Sequence, residues 1–398
     1  MAPLQPDEAW RRIEERMGPL PEETVARRAA GGRVLTRALA AQVDVPAGDV
    51  SAMDGYALPG AVSPGESRPV SGAVAAGDRP GYELAPDEVV RIMTGAPLPA
   101  GADRVVPVEE TDAGRETVIF LRPSLPGQHI RRQGEILQMG DPLLPAGARL
   151  TPGALSLLAA HGHGTVPVHR APTVAVLTSG DEVVPPETQP APGQLRDSHT
   201  DFLLAAGSTL GLRFEPLGIA PDRVDALRPL VERGLRSDVL LLCGGVSMGE
   251  FDLAEGVLAD LGCEAVFDGV NIQPGKPLVF AVHPGGWVFG LPGNPASVMV
   301  SFWLFVYPAL RRLLGMPASW WGGAVGGTLA APLPGSGPRD RFIPVAVEPR
   351  DGELLVTPFP PKGSHDLASF GQGNALVRVR PGTGPAGVGE RCEVLLIF

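Results

Sequence analysis

The sequence predicts a multidomain α/β protein built around a central doubly wound domain. Three observations carry this. The 398 residues exceed what one hydrophobic core organises. Between Pro172 and Leu314, short apolar runs alternate with helical patterns, as in a sheet covered on both faces. On either side the texture changes to alternating runs punctuated by Gly and Pro, at 46–139 and again after 320. Four regions follow. Residues 1–45 with 140–170 read as a largely helical domain, and 46–139 as an inserted β-rich domain. Residues 171–320 form the α/β domain, and 321–398 a small C-terminal β domain.

In chain order, Pro6-Asp7-Glu8 opens an amphipathic helix over 7–17, with Ala9, Ile13 and Met17 near helical spacing. Pro21-Glu22-Glu23 reads as a second helix start that runs to Gly31, and Val34–Leu39 as a short helix after it. Strands are expected at Gly72–Ala76, Val89–Met93, Arg104–Val108 and Val118–Leu121. Asp54 and Thr94 each stand beside a Gly at a strand end, where an ordinary turn would also place them. Helix Pro152–Ala160 ends at His161 and His163. Without a nearby Cys or acid these read as a surface C-cap turn rather than metal ligands.

The α/β region predicts strands at Thr173–Thr178, Arg213–Ala220, Val239–Cys243, Ala265–Phe267, Leu278–Val282 and Trp287–Leu291. Helices are expected at Thr200–Leu210, Arg223–Leu235, Leu253–Leu261 and Ala296–Leu314. Strand ends then bring Glu182, Asp222, Asp252, Lys276 and Asn294 to one edge, where α/β sheets bind ligands. The loop after Cys243, G-G-V-S-M-G-E-F-D at 244–252, suits an anion held by backbone N–H groups. Its acids suit a hard divalent cation beside phosphate. Asp222 and Asp252 also precede helices, so capping alone would explain them. After 320, strands are expected at Arg341–Glu348, Glu353–Pro358, Ala375–Arg380 and Arg391–Phe398. The polar segment Lys362–Ser369 suits either a cleft wall or a solvated loop.

Composition narrows the function. A net charge of -11 argues against sequence-independent nucleic-acid binding. Only two of 33 basic residues are lysines, Lys276 and Lys362, so Lys276 is expected where a compact ammonium matters. Cys243, Cys263 and Cys392 are widely spaced, which disfavours a disulfide framework or zinc ribbon and fits a reducing cytoplasm. The start of the chain has no signal-peptide pattern. The longest apolar run, Ala296–Leu310, is short for a bilayer span and reads as a buried helix.

Seven ordered motifs carry a resemblance. S-A-M-D-G-Y-A at 51–57, R-I-M-T-G-A at 91–96, T-S-G-D-E at 178–182, G-Q-L-R-D-S at 193–198, G-G-V-S-M-G-E-F-D at 244–252, P-G-K-P at 274–277 and L-P-G-N-P at 291–295 resemble the MoeA-type molybdopterin molybdenumtransferases, the family of the gephyrin E domain. The likeness runs through nearly the whole chain. It implies a MogA-like central domain, a barrel-like C-terminal domain and a homodimer held by an elongated domain, residues 1–45 with 140–170. It also implies an active cleft shared between subunits.

The implied reaction inserts molybdate, a substrate, into adenylylated molybdopterin. Mg2+ assists cleavage of the phosphoanhydride, and AMP is released. Asp54, Thr94, Glu182, Asp222, Asp252 and Lys276 fall on catalytic positions, and Glu182, Asp222 and Asp252 would hold the metal. Gly244, Gly245, Ser247 and Gly249 would hold the pterin phosphate. Pro292, Asn294, Ser297 and Ser364 would line the substrate site, with Arg339 or Arg341 near molybdate. The adenylyltransferase of the same pathway is an expected partner; nucleic acid and membrane are not. The chain departs from the family pattern at Ile136, at His199 (commonly Asn), at Gln273 (Lys in some members) and at Pro344 (an expected Arg). The Gln273 and Pro344 changes leave more of the anion pocket to Lys276. A tungstate-inserting paralogue and a non-catalytic pterin-binding scaffold are the alternatives within the family. A nucleotide pyrophosphatase of the competence-damage type is disfavoured by the 46–139 insertion.

Overall fold

The computed structural model describes residues 2–79, 81, 83–244 and 253–397, which divide into two units. One comprises residues 1–25, 30–36 and 167–398, the other 26–29 and 37–166.

The first unit opens with helix α1 (Pro6–Glu14), whose Ala9, Trp10 and Ile13 are buried. Where a second helix is expected, Glu22–Ala26 is a strand with alternating exposure, followed by one 3-10 turn. The adjacent Thr24-Val25 pair is β-branched and favours extended backbone over helix. Leu35 likewise bridges Val168 instead of sitting in a helix.

The second unit carries a five-stranded sheet. Its strands are β1 (Gly55–Leu58), β2 (Ser67–Val74), β3 (Val89–Ile92), β4 (Arg104–Pro107) and β5 (Thr117–Ile119), in the order β4-β1-β3-β2-β5. Only the β2–β3 pairing is parallel. Tyr56, Val89, Val106 and Phe120 fill one cluster of this sheet, and Ala57, Val90 and Val105 another. The period-2 split puts neighbouring residues on opposite faces. Helix α2 (Pro152–Ala160) is capped by Thr151 Oγ1, which accepts from Ala154 N at 3.2 Å. His161 and His163 end this helix but are buried, not a surface turn. His163 Nε2 pairs with the Ala40 carbonyl at 2.9 Å and its Nδ1 with Gln42 at 3.4 Å, so they form a packed helix end.

The first unit continues with the central sheet. Its strands are β6 (Val174–Ser179), β7 (Phe214–Ala220), β8 (Val239–Cys243), β9 (Glu264–Asp268), β10 (Val279–His283) and β11 (Gly286–Leu291), in the order β7-β6-β8-β11-β10-β9. The first four strands in this order are parallel, and β10 runs antiparallel to both of its neighbours, β11 and β9. Helices α3 (His199–Ser208), α4 (Val224–Gly234) and α5 (Leu253–Asp260) cover the sheet. Along β8 the side chains split: Val239, Leu241 and Cys243 join one core cluster, Leu240 and Leu242 the other. Both faces are buried, so β8 is apolar throughout and reads clearly in the sequence.

The apolar run after residue 294 is interrupted. Helix α6 (Pro295–Ser301) passes through a π turn at Phe302–Val306 into α7 (Tyr307–Leu313). Pro308 has no N–H to donate to the preceding turn, which accounts for the break in the regular ladder.

A barrel ends the unit, from β12 (Val325–Leu329), β13 (Asp340–Arg350), β14 (Glu353–Pro358), β15 (Ala375–Val379) and β16 (Arg391–Leu396), with α8 (Leu367–Gln372) between β14 and β15. The order β13-β14-β12-β16-β15 closes through a β13–β15 pairing. Its interior is Ile343, Val345, Val356, Val377 and Val394. No helix among the described residues is long and apolar enough to cross a membrane.

Candidate functional site

The carboxyl ends of β6, β7 and β8 meet in one place. Gly180 N donates to the Ala220 carbonyl at 3.1 Å, and Asp222 N donates to Asp181 Oδ1 at 3.1 Å. The G-D-E turn after β6 is thus fastened to the end of β7. Gly244, one residue past β8, donates its N–H to the Leu291 carbonyl at 3.1 Å. Its φ is +86°, and a Cβ there would stand 2.4 Å from the Ser179 carbonyl oxygen, so only glycine fits.

These ends enclose a cavity of about 130 Å³ lined by Ser179, Glu182, Asp197, His199, Asp222, Gly244 and Gly293, among others. Its floor is buried and its rim is acidic. Asp197 Oδ1 accepts from His199 N at 2.9 Å and Thr200 N at 3.2 Å, and its Oδ2 from Thr200 Oγ1 at 2.6 Å. Asp197 therefore caps α3 and spends its acceptors on that helix. At the rim, Glu182 and Asp222 are exposed. The Asp222 carboxyl is held above its ordinary value, first by partial burial and then by the charges of Asp181 and Glu182. Two carboxylates with oxygen donors on one wall fit a hard cation. Among the described residues, no group of three or more His, Cys, Asp or Glu side chains is arranged to hold a metal. Asp252, the third acid expected, lies outside the described residues, as do Gly245, Ser247 and Gly249.

A second cavity, about 290 Å³, opens on the other side of the Pro292-Gly293-Asn294 turn. Its lining includes Gln273, Lys276, Asn294, Ser297, Arg339, Arg341 and Ser364. Topology explains the company. The hairpin of β10 and β11 brings the start of β10 beside the end of β11, with Val279 opposite Gly290, so Lys276 reaches the Asn294 turn. Residues 272–273 pair in parallel with Asp340–Arg341 of the barrel, which sets both arginines beside the Pro-Gly-Lys loop. Arg339 Nη1 donates to the Ile272 carbonyl at 3.4 Å and Arg341 Nη1 to the Gly335 carbonyl at 3.0 Å. Ala296 N donates to the Ser364 carbonyl at 3.1 Å, tying the barrel loop to the start of α6. Three cations, two hydroxyls and two amides around one small cavity suit an oxyanion. Pro344 is buried in β13 opposite Leu376.

Asp54 and Thr94 belong to the other unit, where the structure joins them. Thr94 N and Oγ1 donate to Asp54 Oδ1 at 2.7 and 2.8 Å. The backbone donor first, then the hydroxyl, holds the Asp54 carboxyl below its ordinary value.

Comparison with known proteins matches the chain to three family models. These are the MoeA N-terminal region (domain I and II) at residues 4–162, a probable molybdopterin binding domain at 175–312, and the MoeA C-terminal region (domain IV) at 327–397. The chain belongs to the MoeA family. Curated MoeA relatives named molybdopterin molybdenumtransferase include one from Bacillus subtilis, 34% identical over 99% of this chain and 94% of that one. Another, from Nostoc, is 35% identical over 87% and 82%. A solved molybdopterin biosynthesis MoeA protein from Pyrococcus horikoshii superposes with a TM-score of 0.82 at 31% identity, covering 99% of both chains. The MoeA fold, with its closed five-stranded C-terminal barrel, is therefore the fold expected from the motifs.

Sequence reasoning assigns no role to Asp181, Asp197 or Ser179. The only signal for Asp181 is its place in the Gly-Asp-Glu turn. Ser179 and Asp197 become visible once β6 and α3 are in place.

Proposed function

We propose that this chain acts in the last step of molybdenum cofactor synthesis, inserting molybdate into adenylylated molybdopterin and releasing AMP. One observation carries the reading. Two cavities of opposite character, one acid-rimmed and one lined by Lys276, Arg339 and Arg341, adjoin across the Pro292-Gly293-Asn294 turn. A phosphoanhydride that needs a cation would lie on the acidic side, and a tetrahedral dianion on the basic side.

Glu182 and Asp222 would hold Mg2+, joined by Asp252. Bound there, Mg2+ supplies charge neutralisation at the phosphoanhydride. Lys276, Arg339 and Arg341 attract molybdate and keep it from exchanging freely with solvent. Asn294, Ser297 and Ser364 supply directional hydrogen bonds that orient it. Gly244 lets the backbone approach the pterin phosphate closely. Asp54 and Thr94, already bonded to each other, would be supplied by a second subunit, making the working site a property of a homodimer. Cys243 is fully buried and its thiol is pushed up by that burial, so it is not a nucleophile.

The test is to mix purified protein with adenylylated molybdopterin, Mg2+ and molybdate. AMP should appear in a molybdate- and Mg2+-dependent manner, with formation of active cofactor. AMP release that ignores molybdate, with no cofactor formed, would sink the reading.

A further inference from the structure

The buried floor of the acidic cavity holds two hydrogen-bonding atoms with no partner. Ser179 is 4% exposed and His199 7% exposed. Ser179 Oγ and His199 Nδ1 are each buried without a hydrogen bond. Both residues line the cavity, and they reach it from different elements, the end of β6 and the first turn of α3. The buried carboxylate of the same cavity, Asp197, accepts instead from His199 N, Thr200 N, Thr200 Oγ1 and Thr178 Oγ1. An orphaned buried donor or acceptor forfeits its hydration with nothing in return, so two beside one cavity mark a place where something else makes the bonds.

We propose that Ser179 and His199 form a specificity subsite for an uncharged nitrogen heterocycle of the substrate, gripping its hydrogen-bonding edge. This rests on the function proposed above. The chemistry selects the ligand class. A phosphate is disfavoured at the floor because the Asp197 carboxylate is buried there, while Arg196, which lines the same cavity, is exposed and donates to the Thr188 carbonyl and Gln189 Oε1. An apolar group would leave both atoms unpaired. A heterocycle edge with a ring nitrogen beside an amino or carbonyl group supplies a donor and an acceptor together. The serine hydroxyl serves either role, and the imidazole does so through its choice of tautomer. Rotation about Cα–Cβ would turn the Ser179 hydroxyl toward the cavity, and rotation about Cβ–Cγ the His199 ring nitrogen. The acidic rim above then lies where the charged part of the same molecule leaves the floor. Two rings in adenylylated molybdopterin have this chemistry, the pterin and the adenine.

The experiment uses the full chain and measures binding of molybdopterin and of AMP separately by calorimetry, alongside Tm. The variants are His199→Phe, His199→Gln and Ser179→Ala. The expected result is at least a tenfold loss of affinity for one of the two ligands in His199→Phe and in Ser179→Ala. Molybdate affinity should be unchanged, and His199→Gln, which keeps a donor and an acceptor, should restore most of the affinity. Loss for molybdopterin alone assigns the floor to the pterin, and loss for AMP alone to the adenine. If the folded variants bind both ligands as the wild type does, the subsite is overturned while the function stands. If the wild type binds neither ligand, both readings fail. Should His199→Phe not fold, the comparison of Ser179→Ala with wild type decides.

Discussion

Gly293 faces Gly244 where the two cavities adjoin: a Cβ added to Gly293 would stand 4.0 Å from the Gly244 Cα. The two glycines differ in what they tolerate. Gly244 is at φ +86° with the Ser179 carbonyl 2.4 Å from any Cβ, whereas Gly293 has room at ordinary contact distance. Gly244→Ala is therefore expected to lower stability by about 2 kcal/mol or more, measurable as reduced Tm and denaturant midpoint. Gly293→Ala should keep the wild-type Tm and act on substrate alone, raising KM by narrowing the way between the cavities. A Gly293→Ala protein that melts early with normal KM would refute that division of labour.

Lys276 should matter more to molybdate than to the pterin. Lys276→Ala is expected to raise the KM for molybdate roughly 10- to 100-fold, the scale of one lost charge-assisted contact. Affinity for adenylylated molybdopterin should change little. Lys276→Arg should rescue poorly, because a planar guanidinium does not replace a compact ammonium. The molybdate KM should also climb with ionic strength, as added salt screens Lys276, Arg339 and Arg341. Equal losses for both substrates would contradict a separate anion cavity.

Asp222 gives a pH test whose sign is fixed. Its carboxyl is raised above 3.8 in the folded protein. Ionisation therefore costs stability above the unfolded value, and the cost disappears as pH falls through the raised folded value. Asp222→Asn should raise Tm at pH 7, with the difference from wild type shrinking on acidification. It should also remove Mg2+-dependent turnover. Mg2+ should raise the Tm of wild type, as any ligand of the native state does, but not that of Asp222→Asn. A Tm response to Mg2+ that survives in Asp222→Asn would take this residue out of the metal site.

What the sequence made legible follows from burial. β8 has both faces covered, so five apolar residues in a row announce it. Strand ends bounded by Gly, Pro and acids marked the ligand edge for the same reason. Glu22–Ala26 was harder: a five-residue strand with alternating exposure and two glutamates at its start mimics a helix N-terminus. The antiparallel turn of β10 is not written in its own residues, yet it is what carries Lys276 to Asn294. Both Arg339 and Arg341 line the anion cavity, because the pairing of residues 272–273 with the start of β13 is a contact between distant segments. The orphaned Ser179 hydroxyl was invisible, since an unmade hydrogen bond leaves no pattern in a sequence.

The Asp54–Thr94 pair tests the proposed homodimer. The two Thr94 donors make Asp54 an acid that stays ionised, fixed in place before any substrate arrives. Asp54→Ala should abolish turnover without a large change in Tm, because the side chain is exposed. Glu182→Ala should do the same from the other unit. If one subunit supplies Asp54 and the other Glu182 to each site, refolding the two inactive proteins together should recover activity. Random pairing makes half the dimers mixed, each with one site carrying both native halves, so about a quarter of wild-type turnover is expected. A site completed within one subunit would recover none, since every site in the mixture would then carry a defect. The measurement is AMP release after co-refolding at equal concentrations, with each variant refolded alone as the baseline.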